Sequence, residues 1–347
     1  MRKTGFSGKG WLWVIPYFLF VTTSEGQFPV GIDIVYDFIK TNSIHRYQVN
    51  WNKEDKQFWS AMSTAHTLKD SMNAFIQVFK DLDDVHSQLH YNNQNYGYLK
   101  TDDEHGSDRL HQLAEMARAT SGQIKCELLD NQYAYIRIPG NNIFDATVAN
   151  QYGWTLRDTI DYWKQKKQVK GFVIDLRLDR GGNLNPMLNG VSHLLGDGVI
   201  LNEVDISYLR GGPWKIQKGI FMGRNFAMPD DNENENTPLS EIPVVVLTGP
   251  LTASSGSITA IAFRGRKNAI SIGEPTAGGY TVSNEYYQFA PNLFLNLAIS
   301  RVADRNLRFY PAEVEPDIVV KEGDDFENLM RDQKIKRALL WLKENTK

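Results

Sequence analysis

The stretch from Pro243 to Gly279, PVVVLTGPLTASSGSITAIAFRGRKNAISIGEPTAGG, constrains this chain more than any other. The β-branched run Val244-Val245-Val246-Leu247-Thr248 has no polar face, so it reads as a strand buried on both sides. Gly249 and Pro250 break it, small hydroxyl residues follow at 252–257, and an apolar helical run extends from Ile258 to Phe263. Strand, tight turn and helix in that order place a serine where free backbone N–H groups and the positive end of the helix dipole converge. Such a turn can stabilise an oxyanion and present a hydroxyl as a nucleophile. It is also what an N-capping serine in an ordinary αβ protein looks like.

A second strand-and-turn unit lies in KGFVIDLRLDRGGNLNPMLNGVSHLL, residues 170–195. Phe172-Val173-Ile174-Asp175-Leu176 is the buried strand, and Arg180-Gly181-Gly182-Asn183 is a glycine turn leading into a helix. Adjacent glycines let the backbone approach a ligand and turn its amides inward.

Four pieces in this order, VIDLRLDRGGN, TGPLTASSGSITAIAF, GEPTAGG and YPAEVEPDIVV, resemble the tail-specific or C-terminal processing serine peptidases, relatives of the tricorn core. The resemblance spans roughly residues 130 to 320. It implies an α/β fold, a crotonase/ClpP-like αβ catalytic core preceded by a small N-terminal helical bundle. It also implies a nucleophile at Ser254, one oxyanion donor at the Gly181-Gly182 turn and another at the Ser255 amide. Many relatives use a lysine base just after the GEPT-type motif; Gly279 stands there, which points to the tricorn-like branch with Ser-His-Glu. A serine hydroxyl needs a base within hydrogen-bond reach to attack at neutral pH.

Seven histidines are available. His86 lies in Asp84-Val85-His86-Ser87-Gln88-Leu89, which resembles the D-x-H-[ST]-x-L element that carries the base in histidine-using relatives. The same residue continues an apolar series, Leu68, Met72, Phe75, Phe79 and Leu82, so a core-facing helical histidine is the competing reading. His90 is the second candidate, His193 falls on the helix after the glycine turn, and His45, His66, His105 and His111 read as ordinary surface or helix histidines. For the carboxylate that orients the imidazole, the strand end YPAEVEPD offers Glu313, Glu315 and Asp317. Alternation does not separate Glu313 from Glu315, which would share a strand face. The family spacing, nearly sixty residues after the serine, favours Glu313.

At 347 residues with 41% hydrophobic content, the chain can bury a sizeable core. A net charge of −3 without a basic patch argues against a nucleic-acid binder. Residues 1–26 combine Arg2, Lys3 and Lys9 with the apolar run Trp11–Val21, the pattern of a signal peptide or N-terminal anchor. That run is short for a bilayer span. The single Cys126 permits no intrachain disulfide. An exported protein of the periplasm or cell envelope fits these features. Contact with a membrane is expected only through the N-terminal segment, should it stay uncleaved.

The expected domains are a helical N-terminal domain over 27–100, a linker over 101–123 that ends in a short helix, and an αβ peptidase core over 124–347. The linker is too short for the PDZ domain that many relatives insert there. Residues 203–241 read as a long connection, with Asp230, Asn232, Asn234 and Glu241 at EF-hand-like spacings but Glu235 where the loop needs glycine. No metal and no cofactor are expected; Asp83, Asp84 and His86 lack a fourth ligand. The reading is a serine endopeptidase acting on protein or peptide substrates. Its rivals are a catalytically inactive ligand-binding protein on the same fold and a crotonase-like acyl-CoA enzyme.

Overall fold

The computed structural model describes residues 31–99, 107–143, 145–205, 210–223 and 239–346. The N-terminal basic and apolar segment and the acidic tract at 230–236 lie outside the described residues.

The amphipathic sequence at the start forms three helices, α1 (Ile32–Asn42), α2 (Trp51–Ser63) and α3 (Leu68–Asp81). A capping box between Thr67 and Asp70 starts α3: each side chain accepts from the other residue's backbone N–H. Its apolar face, Met72, Phe75, Val78 and Phe79, is buried. The sequence reads as helical through Tyr98, but the structure ends α3 at Asp81 and follows it with a hairpin, β1 (Gln88–Tyr91) and β2 (Gln94–Gly97). Asn92 and Asn93 make its two-residue turn with φ 47 and 63, a left-handed pair that asparagine tolerates.

Then come α4 (Asp108–Ala119), β3 (Lys125–Leu129), β4 (Tyr133–Arg137), α5 (Ala146–Gln165), β5 (Gly171–Asp175), α6 (Leu184–Gly190) and α7 (Ser192–Leu195). The stretch expected as a long connection contains the end of one strand, β6 (Gly198–Asp205), and the whole of two more, β7 (Arg210–Gln217) and β8 (Ile220–Met222). Their polar residues find partners: Glu203 is buried, accepting from Trp214 Nε1 at 3.1 Å and from the Ser300 hydroxyl. The chain continues with β9 (Val244–Thr248), α8 (Ser255–Ala262), β10 (Ala269–Gly273), β11 (Val282–Ala290), β12 (Leu293–Asp304), β13 (Ile318–Val319) and α9 (Gln333–Asn345).

The strands build two sheets. One runs β13-β10-β9-β5-β4-β3, parallel except for the β3–β4 pair. Its inner strands β4, β5 and β9 are buried at every position, as their uninterrupted apolar runs require. One face packs on α5, α6 and α8 through Leu156, Leu188 and Ile261, and the other on α9 through Ile335, Leu339 and Leu342. The second sheet runs β2-β1-β12-β6-β7-β8, with β11 also paired to β12. In it β12 pairs with β1 near one end and with β6 near the other. Leu293, Leu295 and Leu297 of β12 pack into the core of α1–α3. One strand therefore ties the helical module to the αβ body. Among the described residues no helix is long and apolar enough to cross a membrane.

Candidate active site

The adjacent parallel strands β5 and β9 both deliver their C-terminal ends to the same edge of the sheet, where α/β proteins commonly place ligands. The glycine turn follows β5 and the hydroxyl-rich turn follows β9. A Cβ on Gly181 would lie 2.6 Å from Ser254 Cβ and 3.1 Å from its Oγ, so the glycine backbone lies directly against the serine. Gly181 and Gly182 have φ 98 and 119, and a Cβ on Gly182 would collide with the Asn141 carbonyl. This turn admits no other residue pair at this spacing.

The hydroxyls of 252–257 divide their roles. Thr252 Oγ1 donates to the Leu176 carbonyl at 2.9 Å, Ser255 Oγ to the Gly182 carbonyl at 2.6 Å, and Ser257 Oγ to the Thr252 carbonyl at 3.1 Å. Ser254 differs. It occupies the N-cap position of α8 with φ 53 and ψ −121, and its side chain caps nothing. A non-glycine residue in that backbone region carries strain of about 1–3 kcal/mol. Its Oγ lies 3.0 Å from His86 Nε2.

His86 sits in the loop between α3 and β1, so it does not continue the α3 apolar face. Asp84, nearly inaccessible, shapes the loop: Oδ1 accepts the N–H groups of His86 at 3.0 Å and Ser87 at 2.8 Å, and Oδ2 accepts the Ser87 hydroxyl at 2.5 Å. Ser87 Oγ in turn accepts the Ala298 N–H of β12 at 2.9 Å. Asn284 of β11 donates Nδ2 to the His86 carbonyl at 3.1 Å, and the Tyr280 ring stands edge-on to the imidazole at 5.1 Å. Burial pushes the His86 imidazole down to about 4, with Asp84 opposing and His45 adding to the shift. The ring is therefore neutral at pH 7, the form that can take a proton.

Glu313 is exposed and is not hydrogen-bonded to His86, whose Nδ1 is buried without a partner. The carboxylate does border the TAGG turn: a Cβ on Gly278 would lie 3.5 Å from Glu313 Oε2, and Gly279 N–H donates to the Ala312 carbonyl at 2.9 Å. Of the other two acids in that strand end, Asp317 Oδ2 accepts from Ser271 N and Oγ at 2.8 and 2.9 Å, away from this turn. On the other side of TAGG, a Cβ at Gly279 would sit 2.6 Å from Val85 Cγ2, and φ there is 83. Any side chain at 279, lysine included, would press into the histidine loop.

For an oxyanion, the amides divide as follows. The Gly181 N–H donates to Asp179 Oδ1 at 2.8 Å and is not free. The N–H groups of Gly182 and Ser255 have no acceptor among the described residues. His90 lies in β1, with Nδ1 on Asn95 Oδ1 at 2.6 Å, and His193 Nδ1 pairs with Asp161 at 2.9 Å, so neither is at the serine. No group of three His, Cys, Asp or Glu among the described residues is placed to hold a metal.

Sequence reasoning placed Asp84 in the histidine motif without a role there, and missed Asp179, Asn284 and Tyr280. The D-x-H-S spacing signals Asp84, since an aspartate two residues before another commonly caps its amide. Asn284 reaches His86 from 198 residues away and has no local signal.

Comparison with known proteins bears on the family and the fold. The nisin-resistance protein of Lactococcus lactis subsp. lactis is 33% identical over 154 residues, 44% of this chain and 47% of that protein, so the chain spans about half the length of this relative. A lipoprotein from Streptococcus agalactiae shares the fold with TM-score 0.69 and 19% identity, covering 95% of this chain and 99% of that one. The photosystem II D1 C-terminal processing protease superposes with TM-score 0.52 and 11% identity, over 87% of this chain and 95% of that one. The model of peptidase family S41 matches residues 132–320, a span that contains both turns and Glu313 but not His86. A mixed α/β body with a serine and a glycine turn at one sheet edge, matched over more than half its length by that model, belongs to peptidase family S41.

Proposed function

We propose that the chain is a serine endopeptidase acting outside the cytoplasm on protein or peptide substrates. The observation that carries this reading is the 3.0 Å approach of Ser254 Oγ to a neutral His86 Nε2. His86 takes the hydroxyl proton as Ser254 Oγ bonds to the peptide carbonyl carbon. The Gly182 and Ser255 N–H groups receive the oxyanion, Gly181 supplying the turn that aims the first of them. Collapse breaks the C–N bond, and the amine leaves with the proton from His86. Water then hydrolyses the acyl-enzyme, with His86 again as base, and frees Ser254. Glu313, beside the TAGG turn, is the carboxylate the family resemblance assigns to the imidazole; to serve it must reach His86 Nδ1, which here has no partner, while Asp84 favours the charged ring from its own loop. The basic and apolar N-terminal sequence, and the names of the lipoprotein and nisin-resistance relatives, favour an exported enzyme.

A fluorophosphonate probe followed by peptide mapping tests the assignment. The expected label is on Ser254, lost in Ser254→Ala together with nearly all cleavage of casein and of a peptide panel that includes nisin. A wild-type protein that neither labels nor cleaves but saturably binds an apolar ligand would return the chain to the ligand-binding reading.

A further inference from the structure

We propose that Asp179 is the positioning residue of the oxyanion hole, locking the Gly181-Gly182 turn in register with Ser254. The inference rests on the peptidase reading above. Asp179 grips both turns, beside the Ser255 hydroxyl that holds the Gly182 carbonyl. Its carbonyl accepts the Ala253 N–H at 2.9 Å, immediately before the nucleophile. Its side-chain Oδ1 accepts the Gly181 N–H at 2.8 Å. It also packs under the start of α8, where a Cβ on Gly256 would lie 2.7 Å from its carbonyl oxygen and 2.8 Å from its Cγ.

Fixing the Gly181 N–H inward has a chemical consequence. The peptide between the two glycines is held at its carbonyl, where Gly181 accepts the Asn141 N–H at 2.9 Å, and the Asp179 bond fixes the peptide before it, at a glycine that otherwise rotates easily. With both peptides set, the Gly182 N–H stays free to join Ser255 as a donor.

Asp179 is fully inaccessible, and its Oδ2 has no hydrogen-bond partner. Groups around it offer no cation. Arg177 spends its guanidinium on Asp175, Asp324 and Asp332, Arg180 is exposed, α8 contributes Gly256, and α5 contributes the buried Tyr152 hydroxyl, also without a partner. Burial raises the Asp179 carboxyl well above the usual range, with the Gly181 N–H only partly opposing. Burial thus works against a negative charge beneath the developing oxyanion, while Oδ1 remains the acceptor that holds Gly181.

The test compares Asp179→Asn, Asp179→Ala and Asp179→Leu with wild type by kcat, KM and thermal melting. The leucine variant keeps the volume should the alanine cavity unfold the protein. Expected is a fall in kcat of roughly 10²–10³ for the alanine and leucine variants, as for loss of one oxyanion donor, with KM little changed. The asparagine variant, which keeps the acceptor for Gly181, is expected to restore most of the rate. Folded alanine or leucine variants at wild-type kcat, or an asparagine variant as slow as they are, overturn the inference while leaving the peptidase reading standing. A wild-type enzyme that fails both labelling and cleavage removes the two together.

Discussion

Two side chains 168 residues apart in the chain, Ser254 and His86, meet through a single 3.0 Å contact, and each bears the mark of its place. The serine keeps a left-handed φ that a capping residue would avoid, and the histidine is held neutral by burial. The second fact has a pH consequence. His86 titrates near 4 in the folded protein, below its ordinary 6.5, so acidification protonates the base only well below pH 6.5. The acid limb of kcat/KM is expected between pH 4 and 6.5, toward the lower value. The same depressed value contributes stability that is complete above pH 6.5 and is lost as pH falls toward 4. A pH–rate profile checks this, and a limb centred at 6.5 or higher would count against His86 as the base.

At the scale of elements, the loop between α3 and β1 depends on Asp84, whose carboxylate takes the N–H groups of His86 and Ser87. Asp84→Ala leaves both donors unsatisfied at a buried position, each costing about 1–3 kcal/mol. Chemical denaturation is expected to show a loss of at least that size, and peptide cleavage a fall in kcat as the imidazole drifts from Ser254. An unchanged denaturation midpoint would show that the loop is held by other contacts. The sequence makes such local devices readable: the capping box of α3, the buried runs of β5 and β9, and the glycine and serine turns all declare themselves within a few residues. Elements stabilised by distant partners do not. β1 and β2 join β12 some two hundred residues later, and β6 hides Glu203 and Asn202 by pairing them with Ser300, Trp214 and the Asp304 carbonyl. Their polar residues therefore read as loop. The start of α9 at Gln333 follows from Asp332, which accepts the N–H groups of Lys334 and Ile335. The carboxyl group of Asp179 escaped notice for a related reason: a sequence does not say which acids are buried.

Across the whole molecule, the end of β5 and the GEPTAGG segment are tied to the C-terminal region by an ion network. Lys334 of α9, fully buried, binds Glu274 and Asp324 at 2.9 Å, and Arg177 binds Asp175, Asp324 and Asp332. Arg109 of α4 joins through Glu274 and Asp324. Removing one partner of such a buried set strands the others. Lys334→Met is expected to lower unfolding free energy by about 3–5 kcal/mol. Although burial works to raise it, Arg177, Arg109 and Lys334 hold Asp324 down at about 2. That stabilisation is complete above the ordinary aspartate value and vanishes as pH falls through 2. The gap between variant and wild type in urea unfolding should therefore narrow in strong acid; a gap that is absent at neutral pH would show that Lys334 adds nothing net.

The packing of Val85 onto Gly279 also bears on how such a site could change over time. Here the turn is filled by the neighbouring histidine loop. Admitting any longer residue at 279 would require shrinking the valine and relieving a left-handed backbone together. A single exchange at this corner leads only to crowding, so the glycine and the valine are bound to change as a pair.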